Sequence, residues 1–303
     1  MATPAWTTFE TRRIAGEGAT LNARVGPIHS GRPAVLLLHG FPQSHVMWRK
    51  VAPRLSTHFN VVVPDLRGYG DSDKPAASAD CREYSKRAMA ADLVAVMRSL
   101  GHARFHIAGH DRGGRVAHRL AVDHPDAART LVLLDIAPTL AMYEQTDLDF
   151  ARSYWWWFFL IQPAPLPERL IAAEPALFLE RKIGQGPAGL APFDDDAYRE
   201  YSRHVSDYAT VEAMCNDYRA AATIDLKHDR EDRAAGQRIR CPVHALWARE
   251  GAVGRCFDVL AEWRAVTAVE YTVTGRPLDC GHYIAEEAPD ELLKELIVFF
   301  GGK

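Results

Sequence analysis

The sequence predicts an α/β fold: a mostly parallel central sheet flanked by helices, with a helical cap inserted between two of its strands. Three observations lead there. Short apolar runs alternate with helix-like segments along the chain. These runs are continuous in Val, Ile and Leu rather than alternating, as strands covered on both faces must be. The alternation stops between about Thr139 and Asp229, then resumes at Cys241.

Taken in order, two runs around ETRRIA and TLNARV can pair antiparallel at the sheet edge. AVLLLH (Ala34 to His39), NVVVPD (Asn60 to Asp65), FHIAGH (Phe105 to His110) and TLVLLDI (Thr130 to Ile136) read as buried strands. KRAMAADLVAVMRSLG (Lys86 to Gly101) has helical spacing and ends at a glycine, as helices commonly do. Strand-helix-strand alternation implies a parallel sheet with helices on both sides. The insertion carries WWWFFLIQPAPLPE and several tyrosines but no strong strand. PVHALWA (Pro242 to Ala248) and VEYTV (Val269 to Val273) supply the last strands. The expected division is a core of residues 1–138 and 231–303 and a cap of residues 139–230. No internal repeat is visible.

With 303 residues, 48% hydrophobic and 25% charged, the chain is long enough for a sizeable core and has an ordinary globular composition. A net charge of −3 gives no basic footprint for nucleic acid. The five cysteines are scattered without a C-x-x-C pair, so neither a disulfide framework nor a zinc site is indicated. A reducing cytoplasm fits that pattern. MATPAWTTFETRRIAG lacks the basic-then-apolar order of a secretory leader. No apolar stretch reaches membrane-spanning length, and YWWWFFLI (Tyr154 to Ile161) reads as a buried helix or an interface.

Chemistry concentrates at the strand ends. FHIAGH runs into Asp111-Arg112-Gly113, a sharp strand-to-helix turn that exposes a carboxylate near a helix N-terminus. An aspartate there is also a common N-cap, so Asp111 alone decides nothing. HGFP (His39 to Pro42) follows the first buried strand, and a glycine-containing turn there can aim a backbone N–H at a developing oxyanion. Asp135 ends the strand after the Asp111 turn, and His282 follows a glycine after the last strand. A carboxylate nucleophile, an orienting acid and a late histidine thus stand where open α/β sheets place their sites.

LLLHGFPQSHVMW, DLRGYGDS, YSKRAMAADL, GHDRGGRVAHRLA, LLDIAPT, QPAPLPE, DYRAAATID and GHYIAEEAP together resemble the fluoroacetate (haloacetate) dehalogenases of the α/β-hydrolase superfamily. The superfamily pattern covers essentially the whole chain. GHDRGGR with QPAPLPE is specific to the dehalogenases, whereas HGFP with DLRGYG is shared with epoxide hydrolases and haloalkane dehalogenases. The resemblance implies hydrolytic dehalogenation of a small anionic 2-haloacid to glycolate and halide. It implies no metal or organic cofactor, and a homodimer.

In that reading Asp111 attacks the halogen-bearing carbon, forming an ester that His282-activated water hydrolyses, with Asp135 orienting His282. Backbone N–H groups of Phe41 and Arg112 stabilise the oxyanion. A haloacetate brought to about 4 Å from Asp111 meets a repulsion of about 4 kcal/mol at an effective dielectric near 20. Arg112 and Arg115 cancel it, and by the resemblance they are the carboxylate clamps, with arginine's capacity for a bidentate grip. Arg119 reads as an ordinary helix-surface arginine. Glu250, after the post-cap strand, is the competing site for the acid and otherwise a surface residue. His110 points into the turn, and His39 supports the oxyanion loop.

The chain departs from the family in the halide site. The family's histidine, tryptophan and tyrosine donors fall on Trp156, Trp157 and Tyr218, so an indole replaces the histidine. An indole offers one N–H and cannot become cationic, which favours chloride over fluoride release. The main alternative is an epoxide hydrolase using the same Asp/His/Asp set with Tyr143, Tyr154 or Tyr218 protonating the ring. Arg112 argues against it, since a neutral epoxide gains nothing from a cation pair. Arg112 also occupies the place of a haloalkane dehalogenase's tryptophan. A non-catalytic sensor of small acids is a third reading, opposed by the intact Asp111, Asp135 and His282.

Overall fold

The computed structural model describes residues 6–301. The first five residues, part of the MATPAWTTFETRRIAG stretch, and the last two lie outside the described residues. The strands are β1 (Glu10–Ala15), β2 (Thr20–Val25), β3 (Ala34–Leu38), β4 (Asn60–Pro64), β5 (Phe105–His110), β6 (Ala128–Leu134), β7 (Val243–Ala248) and β8 (Val273–Leu278). They form one sheet in the order β1-β2-β4-β3-β5-β6-β7-β8. β2 pairs antiparallel with β1 and β4, and all the other neighbours are parallel.

β3, β4 and β5 are buried along their whole length, which is why they read as unbroken apolar runs. Each fully buried Leu or Val there contributes roughly 1.5–3 kcal/mol of burial free energy. After β3 the chain moves to β4 on one side, then crosses back to β5 on the other. The chain therefore leaves β3 and β5 toward opposite sides of the sheet, the switch point beyond whose C-terminal strand ends open α/β sheets place their sites.

The helix Lys86–Ser99 starts at Ser85, whose side chain accepts from the Ala88 N–H, and stops before Gly101 at φ 84°. The strand expected at VEYTV is displaced: Val269 is fully exposed, Tyr271 closes a turn, and β8 begins only at Val273. β8 contains Gly275, Arg276 and Pro277, poor strand formers that an edge position tolerates. Gly275 is required because a Cβ there would sit 2.0 Å from the Ala245 carbonyl oxygen of β7.

Between β6 and β7 the chain is helical, from Thr139–Glu144 to Ile224–Ala235. Asp147, Asp194 and Asp207 cap three of these helices. In the helix Trp155–Leu160, Trp156, Trp157 and Leu160 are buried. The helix Ile224–Ala235 runs unbroken through the 230/231 boundary and ends at Gly236, whose φ of 69° suits a left-handed stop. Arg119, expected on the surface, is buried and pairs with Asp123, Asp229 and Asp232, tying the helix Arg112–Asp123 to Ile224–Ala235. Among the described residues no helix is long and apolar enough to cross a membrane.

Burial lowers the imidazoles of His39 and His106 to about 4 and those of His110 and His118 to about 3. The unfolded chain binds their protons near pH 6.5. Their stabilisation is therefore complete above about 6.5 and is lost as pH falls toward 4, by up to roughly 1.4 kcal/mol per pH unit for each. The raised carboxyls of Asp225, Asp229 and Glu286 act in the opposite sense and offset part of the loss. The melting temperature is expected to fall by at least about 5 °C between pH 7 and pH 5. An unchanged value would mean that these rings are not held neutral.

Candidate active site

Asp111 sits between β5 and the helix Arg112–Asp123 with φ 47° and ψ −113°, a backbone region that non-glycine residues seldom adopt. Glycines make the turn possible. A Cβ on Gly113 would lie 2.4 Å from the His39 carbonyl oxygen, and one on Gly40 would lie 2.7 Å from the Asp111 Cβ. The loops after β3 and β5 can thus touch.

That contact divides the carboxylate. Asp111 Oδ1 accepts the Phe41 N–H at 3.0 Å, while Oδ2 has no hydrogen-bond partner among the described residues. His282 Nε2, also without a partner, lies 3.9 Å from Oδ2. His282 Nδ1 meets Asp135 Oδ2 at 2.5 Å, and Asp135 Oδ1 accepts the Ala248 N–H at 2.9 Å. Of the two acids weighed for this position, Asp135 touches the histidine and Glu250 is exposed. His110 donates from Nε2 to the His282 carbonyl oxygen. His39 accepts the Leu66 N–H on Nε2 and donates from Nδ1 to Gly40 O, bracing the loop that presents Phe41. Burial alone would raise the Asp111 carboxyl, but His282, His110, Arg115 and Arg112 outweigh it and hold the group well below the usual carboxylate range.

The arginines differ from the expectation of two free clamps. Arg112 already spends Nε and Nη2 on the two carboxylate oxygens of Asp217, at 2.8 and 2.9 Å, and Lys86 also pairs with Asp217. Only Arg112 Nη1 lacks a partner, so a two-pronged grip on a substrate is closed to it. Arg115 donates to the Ala137 carbonyl oxygen, Thr139 Oγ1 and Met142 Sδ, leaving Nε without a partner. Among the described buried lysines and arginines, Arg115 and Lys182 have no carboxylate at ion-pair distance.

Neither Asp217 nor Lys182 is singled out by the sequence. Asp217 adjoins Tyr218 in DYRAA, where an acid before a tyrosine carries no signal of its own. Lys182, near the end of the helix Pro175–Ile183, reads as a charge at a helix C-terminus. It is buried, donates to Tyr283 Oη at 2.8 Å, and lies 3.9 Å over the Trp156 ring. Burial lowers its ammonium to about 8, with Asp111 and Asp135 pulling it back up. A cavity of about 240 Å³ reaches Lys182, Trp156, Tyr154 and His282.

Trp156 also departs from its expected role. Its Nε1 donates to Tyr218 Oη at 3.2 Å, so the N–H expected to face a halide is spent on the phenol. The Trp157 N–H and the hydroxyls of Tyr143 and Tyr154 are buried without partners. Buried donors left open cost about 1–3 kcal/mol each, and a ligand or ordered water can complete them. Elsewhere, Asp71, Glu200 and His204 lie within metal-ligand reach of one another, but the Arg203 guanidinium already bonds all three.

The alpha/beta hydrolase fold family matches residues 33–289. A fluoroacetate dehalogenase from Burkholderia sp. is 42% identical over 96% of this chain and 93% of its own length. A soluble epoxide hydrolase from Corynebacterium sp. (strain C12) is 33% identical over 89% of this chain and 91% of its own. A solved structure of a candidate alpha/beta hydrolase from Nostoc sp. PCC 7120 superposes with a TM-score of 0.92 at 48% identity, covering 97% of this chain and 98% of that one.

Proposed function

The chain belongs to the alpha/beta hydrolase family and is a relative of fluoroacetate dehalogenase, and from that premise we propose that it hydrolyses haloacetates to glycolate and halide through an ester on Asp111. The observation that carries the reading is a carboxylate with one oxygen held and one free, set near the buried Arg115 and Lys182, which have no carboxylate at ion-pair distance among the described residues.

Asp111 Oδ2 attacks the carbon that bears the halogen, and the halide leaves with the bonding electron pair. The substrate carboxylate rests on Arg112 Nη1 and Arg115 Nε, one nitrogen from each. The Trp157 N–H and the Tyr218 O–H receive the halide, with Trp156 behind Tyr218. In the second step His282 Nε2 takes a proton from water, and the hydroxide adds to the ester carbonyl carbon. The oxyanion forms on Oδ1, already facing the Phe41 N–H, with the Arg112 N–H as the second donor. The bond between the carbonyl carbon and Oδ2 then breaks, the His282 imidazolium, stabilised meanwhile by Asp135, gives its proton to the departing glycolate oxygen, and the water oxygen stays in the regenerated Asp111 carboxylate.

An epoxide hydrolase is the competing reading, favoured by the open hydroxyls of Tyr143 and Tyr154. It leaves the charge of Arg115 and Lys182 without a use. The deciding experiment offers the purified protein fluoroacetate, chloroacetate and an aryl epoxide in parallel and follows halide and diol. Halide without diol is expected. Diol without halide would move the function to the epoxide class.

A further inference from the structure

Three aromatic rings at this site each carry a cation over one face. The Arg112 guanidinium lies 4.1 Å from the Tyr218 ring centre, that of Arg115 4.6 Å from Trp157, and the Lys182 ammonium 3.9 Å from Trp156. These are the rings that surround the proposed halide position. The two arginines have a second task with the substrate carboxylate. Lys182 has none: among the described residues its ammonium makes no ion pair, donates to the Tyr283 hydroxyl and faces the Trp156, Tyr283 and Phe41 rings.

We infer that Lys182 is a positioning residue for the leaving halide: its charge over the Trp156 ring strengthens the Trp156 N–H to Tyr218 Oη hydrogen bond, and through it the Tyr218 O–H. This rests on the haloacetate reading of the same site. The physics is a relay of polarisation. A cation over a ring face draws electron density from the indole and makes its N–H a better donor. That N–H is directed onto Tyr218 Oη. A hydroxyl that accepts a strong hydrogen bond donates a stronger one in turn. The Tyr218 phenol is thereby acted on twice, by Arg112 over its ring and by Trp156 at its oxygen. Trp156 is itself fixed between these partners by Tyr154, stacked at 4.7 Å and 28°. An indole cannot carry the positive charge that eases halide departure, and Lys182 places one beside it. Fluoride, a small and poor leaving group, depends most on such donors.

Lys182→Met removes the charge and keeps the length, and Lys182→Arg keeps the charge. Lys182→Met is expected to lower kcat for fluoride release about tenfold and for chloride release less than about threefold, with KM within about twofold. Lys182→Arg should return the fluoride-to-chloride ratio to within about twofold of the parent. Equal losses for both halides in Lys182→Met would overturn the inference, as would a raised KM with kcat intact, which would make Lys182 a substrate anchor at the mouth. Chloride titration followed by tryptophan fluorescence, without substrate, separates this from the parent reading. Should the parent release no halide from either acid, the haloacetate reading falls. A chloride affinity at least about threefold weaker in Lys182→Met would still uphold the relay, and equal or absent chloride binding would overturn it.

Discussion

Replacing His282 with glutamine is expected to leave one round of halide release and no second. In the proposed reaction the displacement needs only a free carboxylate oxygen, and Asp111 Oδ2 has no hydrogen-bond partner among the described residues. The hydrolysis needs a base beside the ester, and His282 Nε2 is the unpartnered nitrogen within reach. Asp135 fixes that nitrogen's role by holding Nδ1 at 2.5 Å. Glutamine offers no comparable base at neutral pH, so steady-state turnover should fall by at least about 10³-fold. Rapid-quench measurement should show a burst of halide equal to the enzyme concentration. Mass spectrometry should find a glycolyl ester on the peptide that carries Asp111. A slow release without burst or adduct would place His282 in the first step and undo the proposed order of displacement before hydrolysis.

The parts of this site that sequence makes legible are those fixed by local backbone geometry. Asp111, Asp135 and His282 each follow a strand, and strands show as apolar runs. The turn at Asp111 announces itself through Gly113, which nothing larger can replace against the His39 carbonyl. What sequence hides is pairing across the cap. Arg112 looks like a free clamp until Asp217, from a helix over a hundred positions later, closes on two of its nitrogens. Arg119 looks like surface until Asp229 and Asp232 arrive the same way. Lys182 looks like solvent-facing charge because its aromatic cage is assembled from Phe41, Trp156 and Tyr283. β8 is hidden for a related reason. An edge strand takes its register from β7, and its own Gly, Arg and Pro argue against it.

Asp111→Asn should abolish halide release, by at least about 10⁴-fold, while tightening the grip on the substrate. An amide is too weak a nucleophile for a saturated carbon, so the loss should be the same for fluoroacetate and chloroacetate. The fold should tolerate the change. Asparagine has nearly the shape of aspartate, and its carbonyl oxygen can accept the Phe41 N–H as Oδ1 does. Binding should respond in the opposite direction from catalysis. The parent site asks one anion to approach another, at a cost of about 4 kcal/mol for charges 4 Å apart at an effective dielectric near 20. Removing the Asp111 charge relieves much of that cost and leaves Arg115 and Lys182 still without carboxylates of their own. Calorimetric titration of the variant with fluoroacetate should therefore give a Kd at least about tenfold below the parent KM. Weaker binding would mean that Asp111 is needed to hold the arginines in place, and that their charge belongs to the architecture and not to the substrate.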